Sequence, residues 1–242
     1  MTLRELIGAI DARGLTVNPG IPPGGDQFAG RHVAALEYDS RKVMPGAVFI
    51  GVGGEHADGA AYAPQAVANG ALAVVSEREK PPEVSVPWVQ VRDGRLAMAV
   101  LASTFFEHPS RAMLIVGITG TNGKTTTGYI VREVLEAAGF QCGLMGTVQY
   151  RVGQHIREAA RTTPEAIDLQ RMLREMVDAG CRACAMEVSS HALAQRRVDD
   201  TRFAVGVFTN LTRDHLDYHH DMETYFAAKR RLFEMLPAGA PA

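Results

Sequence analysis

The sequence has no apolar run approaching the ~18 residues that a membrane-spanning helix needs. Its first residues, Met1-Thr2-Leu3-Arg4-Glu5-Leu6, lack the apolar core of a secretion signal. A cytoplasmic location is therefore expected. Cysteine is scarce, with three in 242 residues. An odd number in a chain of ordinary size fits a reducing compartment better than a disulfide scaffold. No sign of charge is in excess: 25 Lys+Arg stand against 27 Asp+Glu, a net charge of −2. Both signs are scattered, so the chain carries no electrostatic footprint for duplex nucleic acid or an anionic membrane, though a local basic pocket is compatible with that balance. Internal repeats and low-complexity tracts are also lacking. What remains is a globular composition, 46% hydrophobic and 21% charged, with 24 Gly and 12 Pro signalling many turns. The length suits one large or two modest domains.

The first hundred residues alternate short apolar runs with helices. Strands are predicted at Val33–Tyr38, Ala47–Val52, Leu72–Ser76 and Trp88–Val91, with a helix from Tyr62 ended by Gly70. Pro19–Gly25 and Lys80–Pro82 read as loops. A helix over Arg95–Glu107 places Leu96, Val100, Leu101 and Phe105 on one face, and His108-Pro109-Ser110 ends it, so a domain boundary is expected there, dividing residues 1–108 from 109–242. From Met113 a second α/β pattern starts. Leu114-Ile115-Val116-Gly117-Ile118 reads as a strand buried on both faces of a parallel sheet, followed by a helix over Lys124–Ala138 with Ile130, Val131, Val134, Leu135 and Ala138 as its apolar stripe. Further strands are expected at Cys142–Val148, Ala183–Val188 and Phe203–Thr209, with Thr163 capping a helix that Pro164 opens and a last helix over Met222–Leu236. The fold class expected is α/β: an N-terminal α/β domain, then a doubly wound, mostly parallel sheet. Four strands are legible in the second domain, and the chain stops just after a helix, so that domain reads as incomplete.

Gly117-Ile118-Thr119-Gly120-Thr121-Asn122-Gly123-Lys124-Thr125-Thr126 lies between a buried strand and a helix, the setting of a phosphate-binding loop. Glycines let backbone N–H groups turn toward phosphate oxygens, the helix N-terminus adds positive potential, Lys124 can reach the β/γ-phosphates, and Thr125 offers a hydroxyl to Mg²⁺. The spacing is GxxGxxGKT, not the strict GxxxxGK[ST]. A glycine-rich turn without ligand is the plain alternative. Glu187, at the carboxyl end of a strand, can hold Mg²⁺ or be an acid satisfied locally. Asp214, His215, Asp217 and His219 cluster at the next strand end, where a metal or substrate role and a solvated turn are both open. Cys181-Arg182-Ala183-Cys184 has CxxC spacing, but buried strand cysteines are the simpler reading. Ser189, Ser190 and His191 lack the GxSxG elbow of a serine hydrolase.

These residues resemble the Mur ligase family, ATP-dependent amide ligases of peptidoglycan precursor synthesis. The loop Gly117 to Thr127 and the run Asn210-Leu211-Thr212-Arg213-Asp214-His215-Leu216-Asp217-Tyr218-His219 carry the likeness. Tyr38-Asp39-Ser40-Arg41, Thr162-Thr163-Pro164 and Met186-Glu187-Val188-Ser189-Ser190-His191 narrow it to the branch that adds the third amino acid. The resemblance implies Ser40 and Arg41 beside uridine, Thr162 and Thr163 by the diphosphate and muramoyl end, and Ser189, Gln195 and Arg197 on the UDP-N-acetylmuramoyl-dipeptide. It implies ATP on residues 117–126 with Lys124 on the β/γ-phosphates and Asn210 on adenine. Thr125 and Glu187 would hold a first Mg²⁺ and His215 a second, helped by Lys229 as a carbamate; read without the family, Lys229 is a solvated helix lysine. Ala60 departs from the family, which often has His after Asp-Gly. The partners implied are the UDP-linked dipeptide, ATP and an amino acid, diaminopimelate on frequency or else lysine. A monomer is expected. Because family members are about twice as long, the chain as given is expected to bind these ligands without turnover.

Overall fold

The computed structural model describes residues 1–20, 26–54 and 58–242; most of the loop expected at Pro19–Gly25 lies outside them. The chain divides into two units, Met1–Phe105 and Phe106–Ala242.

The first unit begins with α1 (Leu3–Asp11), which starts where Thr2 and Glu5 form a reciprocal capping box. Leu3, Leu6, Ile7 and Ile10 are its buried stripe, each such residue contributing roughly 1.5–3 kcal/mol of transfer free energy. There follow β1 (Thr16–Asn18), α2 (Asp26–Ala29), β2 (Ala35–Glu37), a 3-10 turn at Ser40–Lys42 and β3 (Ala47–Gly51). A second 3-10 turn at Gly59–Tyr62 leads into α3 (Ala63–Ala68), then β4 (Ala73–Ser76), β5 (Trp88–Val91) and α4 (Gly94–Phe105). The sheet runs β1-β5-β4-β3-β2, parallel except at β1. All of β3 and β4 is buried because helices cover both faces, which is why these strands read as unbroken apolar runs. On one face Ala47, Phe49, Val74 and Trp88 pack with Ala63 and Ala66 of α3. Contrary to the expected single face, α4 is buried on every residue from Ala97 to Ser103, while Leu96 and Phe105 are only half-buried. Its alanines let it sit between α1 and β3.

The second unit holds β6 (Leu114–Thr119), α5 (Lys124–Ala137), β7 (Cys142–Met145), β8 (Gln149–Val152), β9 (His155–Glu158), α6 (Ala166–Asp178), β10 (Ala183–Glu187), α7 (Ser190–Ala194), β11 (Val205–Phe208), α8 (Leu216–His219) and α9 (Met222–Glu234). The sheet order is β11-β6-β10-β7-β8-β9. The four parallel strands are those expected; β8 and β9 form an antiparallel hairpin that the reading of Cys142–Val148 as one strand missed. Its outer strand is exposed throughout, so it offers no apolar run to detect.

Two further expectations fail for instructive reasons. Along α5 only Gly128 is fully buried, 3.6 Å from Leu144 and 3.8 Å from Ile118 when given a Cβ. The seam facing the sheet is therefore Gly128, Val131 and Leu135, and Ile130 (58% exposed) and Val134 (62% exposed) point away from it. Thr163 does not cap α6: that position is Glu165, and the Thr163 hydroxyl donates instead to the Glu187 carbonyl at 2.9 Å.

Candidate nucleotide and substrate site

Parallel strands place the ends of β6, β10 and β11 at one edge, the location where open α/β sheets bind ligands. Gly117, expected in the phosphate loop, instead lies within β6; a Cβ there would meet Phe203 and Leu232 at 2.8–2.9 Å, so its smallness serves packing under α9. Thr119 ends the strand. Its hydroxyl is buried with no hydrogen-bond partner among the described residues, an open polar group at the base of the loop. Gly120 has φ +141°, and a Cβ would come within 1.9 Å of the Thr209 hydroxyl, so only glycine fits. Gly123, at φ +84°, is the N-cap of α5. Thr126 is exposed and Thr125 half-buried in the first turn of α5.

The segment after β11 clamps this loop. Asn210 accepts from the Asn122 N–H through Oδ1 at 3.1 Å and donates through Nδ2 to the Asn122 carbonyl at 3.0 Å, while its own carbonyl takes the Thr121 N–H at 2.9 Å. The Asn210 amide thus holds the loop itself. Thr209 donates to the Asn122 carbonyl at 2.7 Å.

Two ammonium groups converge on one carbonyl. Lys124 Nζ donates to Gly120 O at 2.8 Å and Thr121 O at 2.7 Å, and Lys229 Nζ donates to the same Gly120 O at 2.8 Å. Burial lowers the pKa of Lys124 against the opposing pull of Glu187 and Asp214. Lys229 is 1% exposed, not the solvated helix lysine its residue type suggests. Its ammonium lies 4.4 Å from the centre of the Tyr225 ring, and burial first, then Lys124, push its pKa down to about 8.

Glu187 is 2% exposed, and its carboxylate accepts the Thr147 N–H (3.0 Å) and hydroxyl (3.1 Å) against Gly146, where a Cβ would lie 2.2 Å from Oε1. Thr162 meets the same Thr147 hydroxyl at 3.0 Å. His215, at φ 52°, caps α8 and takes part in a ring cluster: 4.8 Å from His191, which lies 4.3 Å from Tyr218 and 5.4 Å from His219. His219 is buried against the Ser190 hydroxyl at 2.9 Å, and burial together with neighbouring His191 and His215 lowers its pKa to about 4.

Thr163, Ser189, Gln195 and Arg197 come together as a second set. Ser189 caps α7 and donates its N–H to the Thr163 hydroxyl at 3.1 Å; Arg197 donates to Gln195 Oε1 at 2.6 Å and Thr163 O at 3.2 Å and pairs with Glu165 at 3.1 Å. Sequence reading missed Thr147, Glu165 and Tyr225. Only Tyr225 left a signal, four residues before Lys229 on one helix face.

In the first unit a pocket of about 440 Å³ is lined by Tyr38, Asp39, Ser40, Arg41, Tyr62 and Gln65. Ser40 donates to Gln65 Oε1 at 2.7 Å, and Asn69 holds the Ser40 carbonyl at 2.9 Å. Arg41 forks onto Asp39 at 2.8–2.9 Å, and that pairing lowers the Asp39 pKa to about 2.

The Mur ligase middle domain matches residues 118–242, and the Mur ligase family catalytic domain matches residues 32–106. The chain belongs to the Mur ligase family. Similar proteins include the UDP-N-acetylmuramoyl-L-alanyl-D-glutamate--2,6-diaminopimelate ligases of Solibacter usitatus and Geobacter sulfurreducens. Each is 49% identical over 208 residues, covering 86% of this chain and 42% and 41% of theirs. A solved structure of a ligase with the same name superposes with a TM-score of 0.71 at 33% identity, over 84% of this chain and 41% of that one. The MurF structure from Acinetobacter baumannii shares the fold with a TM-score of 0.65 at 20% identity, over 99% and 47%. This Mur ligase chain therefore spans about two fifths of the length of the curated relatives it matches. All three of its cysteines are free and buried, so the CxxC spacing reflects packing around β10, and burial raises each thiol pKa. No helix among the described residues is long and apolar enough to cross a membrane.

Proposed function

We propose that this chain carries the ATP and UDP-muramoyl-dipeptide sites of a ligase that joins diaminopimelate to the D-Glu carboxyl of UDP-N-acetylmuramoyl-L-alanyl-D-glutamate. The observation that carries the ATP site is the glycine-cradled loop with Lys124 and Lys229 converging on Gly120 O. The names of the relatives support the substrate and the amino acid.

The reaction joins two anions before it joins an amine. A D-Glu carboxylate oxygen bonds to the γ-phosphorus of ATP as the bond to the departing ADP breaks. The amine nitrogen then attacks the acyl carbon, the tetrahedral centre collapses, inorganic phosphate leaves and the nitrogen loses a proton. Catalysis must therefore consist largely of charge neutralisation and alignment. Lys124 would exchange its two loop carbonyls for the β/γ-phosphates, and the loop N–H groups other than those of Thr121 and Asn122, which Asn210 holds, would face the same oxygens. The unpartnered Thr119 hydroxyl and the glycine-only space at Gly120 fit a bound phosphate chain.

The donor set also fits Mg²⁺, a hard cation that is usually held by one or two carboxylates plus phosphate oxygens and water. Thr125 and Glu187 would hold one ion and His215 a second; Mg²⁺ would neutralise the phosphates. Lys229 would join them as a carbamate: its nitrogen bonds to CO₂ and a proton is released. A lysine shifted to about 8 has far more free amine at neutral pH than one at 10.5, which is the form that reacts. Ser40 and Arg41 would take the uridine end, Thr162 and Thr163 the diphosphate and muramoyl end, and Ser189, Gln195 and Arg197 the dipeptide. The enzyme would work in the cytoplasm, with its thiols reduced, as a monomer.

A second reading rests on the chain's share of its relatives' length: these residues bind both ligands without turnover. We expect binding of UDP-N-acetylmuramoyl-dipeptide, weaker binding of ATP, and no sustained phosphate release when ATP, the dipeptide substrate and diaminopimelate are all present. Steady amino-acid-dependent release would overturn the second reading in favour of the first. Failure to bind either ligand would overturn both.

A further inference from the structure

Tyr225 is fully buried on α9. Its hydroxyl lies 3.0 Å from the Thr121 hydroxyl, in the middle of the phosphate loop. Thr121 Oγ1 is also the acceptor for the Thr212 N–H at 3.0 Å, and the Thr121 N–H is held by Asn210 O. The other end of the same tyrosine, its ring face, lies under the Lys229 ammonium, which in turn bonds Gly120 O one residue before Thr121. One side chain of α9 therefore touches both the loop and the lysine bound to it. A phenylalanine would fill the same volume without the hydroxyl, so core packing alone does not call for tyrosine here; a buried phenol is kept where its O–H has a partner.

We propose that Tyr225 is a positioning residue for nucleotide binding: through Thr121 it holds the phosphate loop open-sided and fixed to α9, so that the loop N–H groups are aligned before ATP arrives. A loop held in its binding geometry loses less conformational freedom on binding, so weakening the tie lowers affinity without removing any ligand contact. This rests on reading the loop as the ATP site.

The test is a double-mutant cycle on the 242-residue chain, titrating MgATP with a fluorescent ATP analogue as probe. Tyr225→Phe should weaken binding about threefold to tenfold, the scale of one internal hydrogen bond. It should weaken it no further in a Thr121→Val background. Thr121→Ser, which keeps the hydroxyl, should retain most of the affinity. Amide exchange should speed up at Thr121–Gly123 in Tyr225→Phe while the β6 and β10 amides keep their protection. A neutral Tyr225→Phe, losses that multiply across the cycle, or a Thr121→Ser as weak as Thr121→Val would overturn the proposal. The Thr121 hydroxyl also bonds the Thr212 N–H and carbonyl, so should Tyr225→Phe fold poorly, a fluorinated tyrosine at 225, nearly the same size but a stronger hydrogen-bond donor, takes its place: it should change MgATP affinity only while Thr121 keeps its hydroxyl, and an equal change in the Thr121→Val background would overturn the proposal. A wild-type chain that binds no MgATP would instead overturn the ATP reading, and loop exchange would still report whether the tie exists.

Discussion

The two units each present a cation where an anionic ligand is expected, and they hold it in opposite ways. Arg41 has 79% of its side chain in solvent and forks onto Asp39, a pairing that raises its pKa. Lys229 is 1% exposed, has no carboxylate within ion-pair distance among the described residues, and is held by a carbonyl and a ring face. An exposed guanidinium keeps its hydration, so its partner sets direction more than stability. A buried ammonium forfeits hydration, and that loss first, then the neighbouring Lys124, moves its pKa toward about 8. Groups kept charged at such a cost concentrate at functional sites, so the burial of Lys229 says more about function than the charge of Arg41 does.

The largest effect expected on this contrast is from Lys124→Ala. MgATP affinity should fall about 100-fold or more, because the variant removes the only described cation in the loop's own helix turn. Uridine-nucleotide binding, followed by isothermal titration calorimetry, should be unchanged. Equal loss of both would break the assignment of ATP and uridine to separate sites.

A second prediction extends the burial argument to His219. The folded state holds it neutral down to about 4, whereas the unfolded chain takes up the proton near 6.5. Its contribution is therefore complete above about 6.5 and lost as pH falls toward 4, on the order of 2 kcal/mol after discounting. Urea unfolding of the second unit, followed by amide exchange in α9, should show that slope, and His219→Gln should flatten it. An unchanged slope would show that His219 is protonated without strain.

How much of this was legible in the sequence depends on how local the cause is. The strand-loop-helix arrangement around Gly120–Lys124 and the four parallel strands were legible, since each rests on residues within a dozen positions. Gly117 was misplaced because a glycine that makes room for Phe203 and Leu232 is indistinguishable in sequence from one that bends around phosphate. The Thr2–Glu5 capping box marks the start of α1 within four residues, as local a signal as the sequence holds. The partners of the site were out of reach: Thr147 lies 40 residues from Glu187 in sequence, and Tyr225 lies 104 from Thr121. The burial of Lys229 was likewise invisible, since Ala228 and Phe226 beside it fit an exposed helix face equally well.

Lys229→Met sharpens the contrast from the other side. Replacing a buried ammonium by an apolar group of similar length should raise stability at neutral pH by about 1 kcal/mol. In the wild-type protein stability should rise between about 8 and 10.5, because over that window the unfolded chain still binds the proton that folded Lys229 has released. The variant should lack that rise. A loss of several kcal/mol on substitution would mean that the ammonium, bound to Gly120 O, holds the loop together.

The smallest effect belongs to Asp39. Its lowered pKa, set by the Arg41 hydrogen bonds and opposed by partial burial, gives a contribution present above about 3.8 and lost as pH falls toward 2. Because Arg41 stands in solvent, that contribution is screened, and at ~1 M salt, where the Debye length is roughly 3 Å, it should nearly vanish. Trp88 is the single tryptophan and is buried in the first unit, so its fluorescence reads that unit alone. Asp39→Asn keeps an acceptor for the Arg41 N–H, and should shift the urea midpoint only slightly at pH 7 and not at all in high salt. The Lys229 slope should survive the same salt, since no mobile ion reaches a group 1% exposed. If salt erased both slopes alike, the distinction between a cation held in water and one held in the protein would fail. If it erased neither, the Asp39–Arg41 pair would be as sheltered as the buried one, and the pocket beside it would be closed to an anion arriving from solvent.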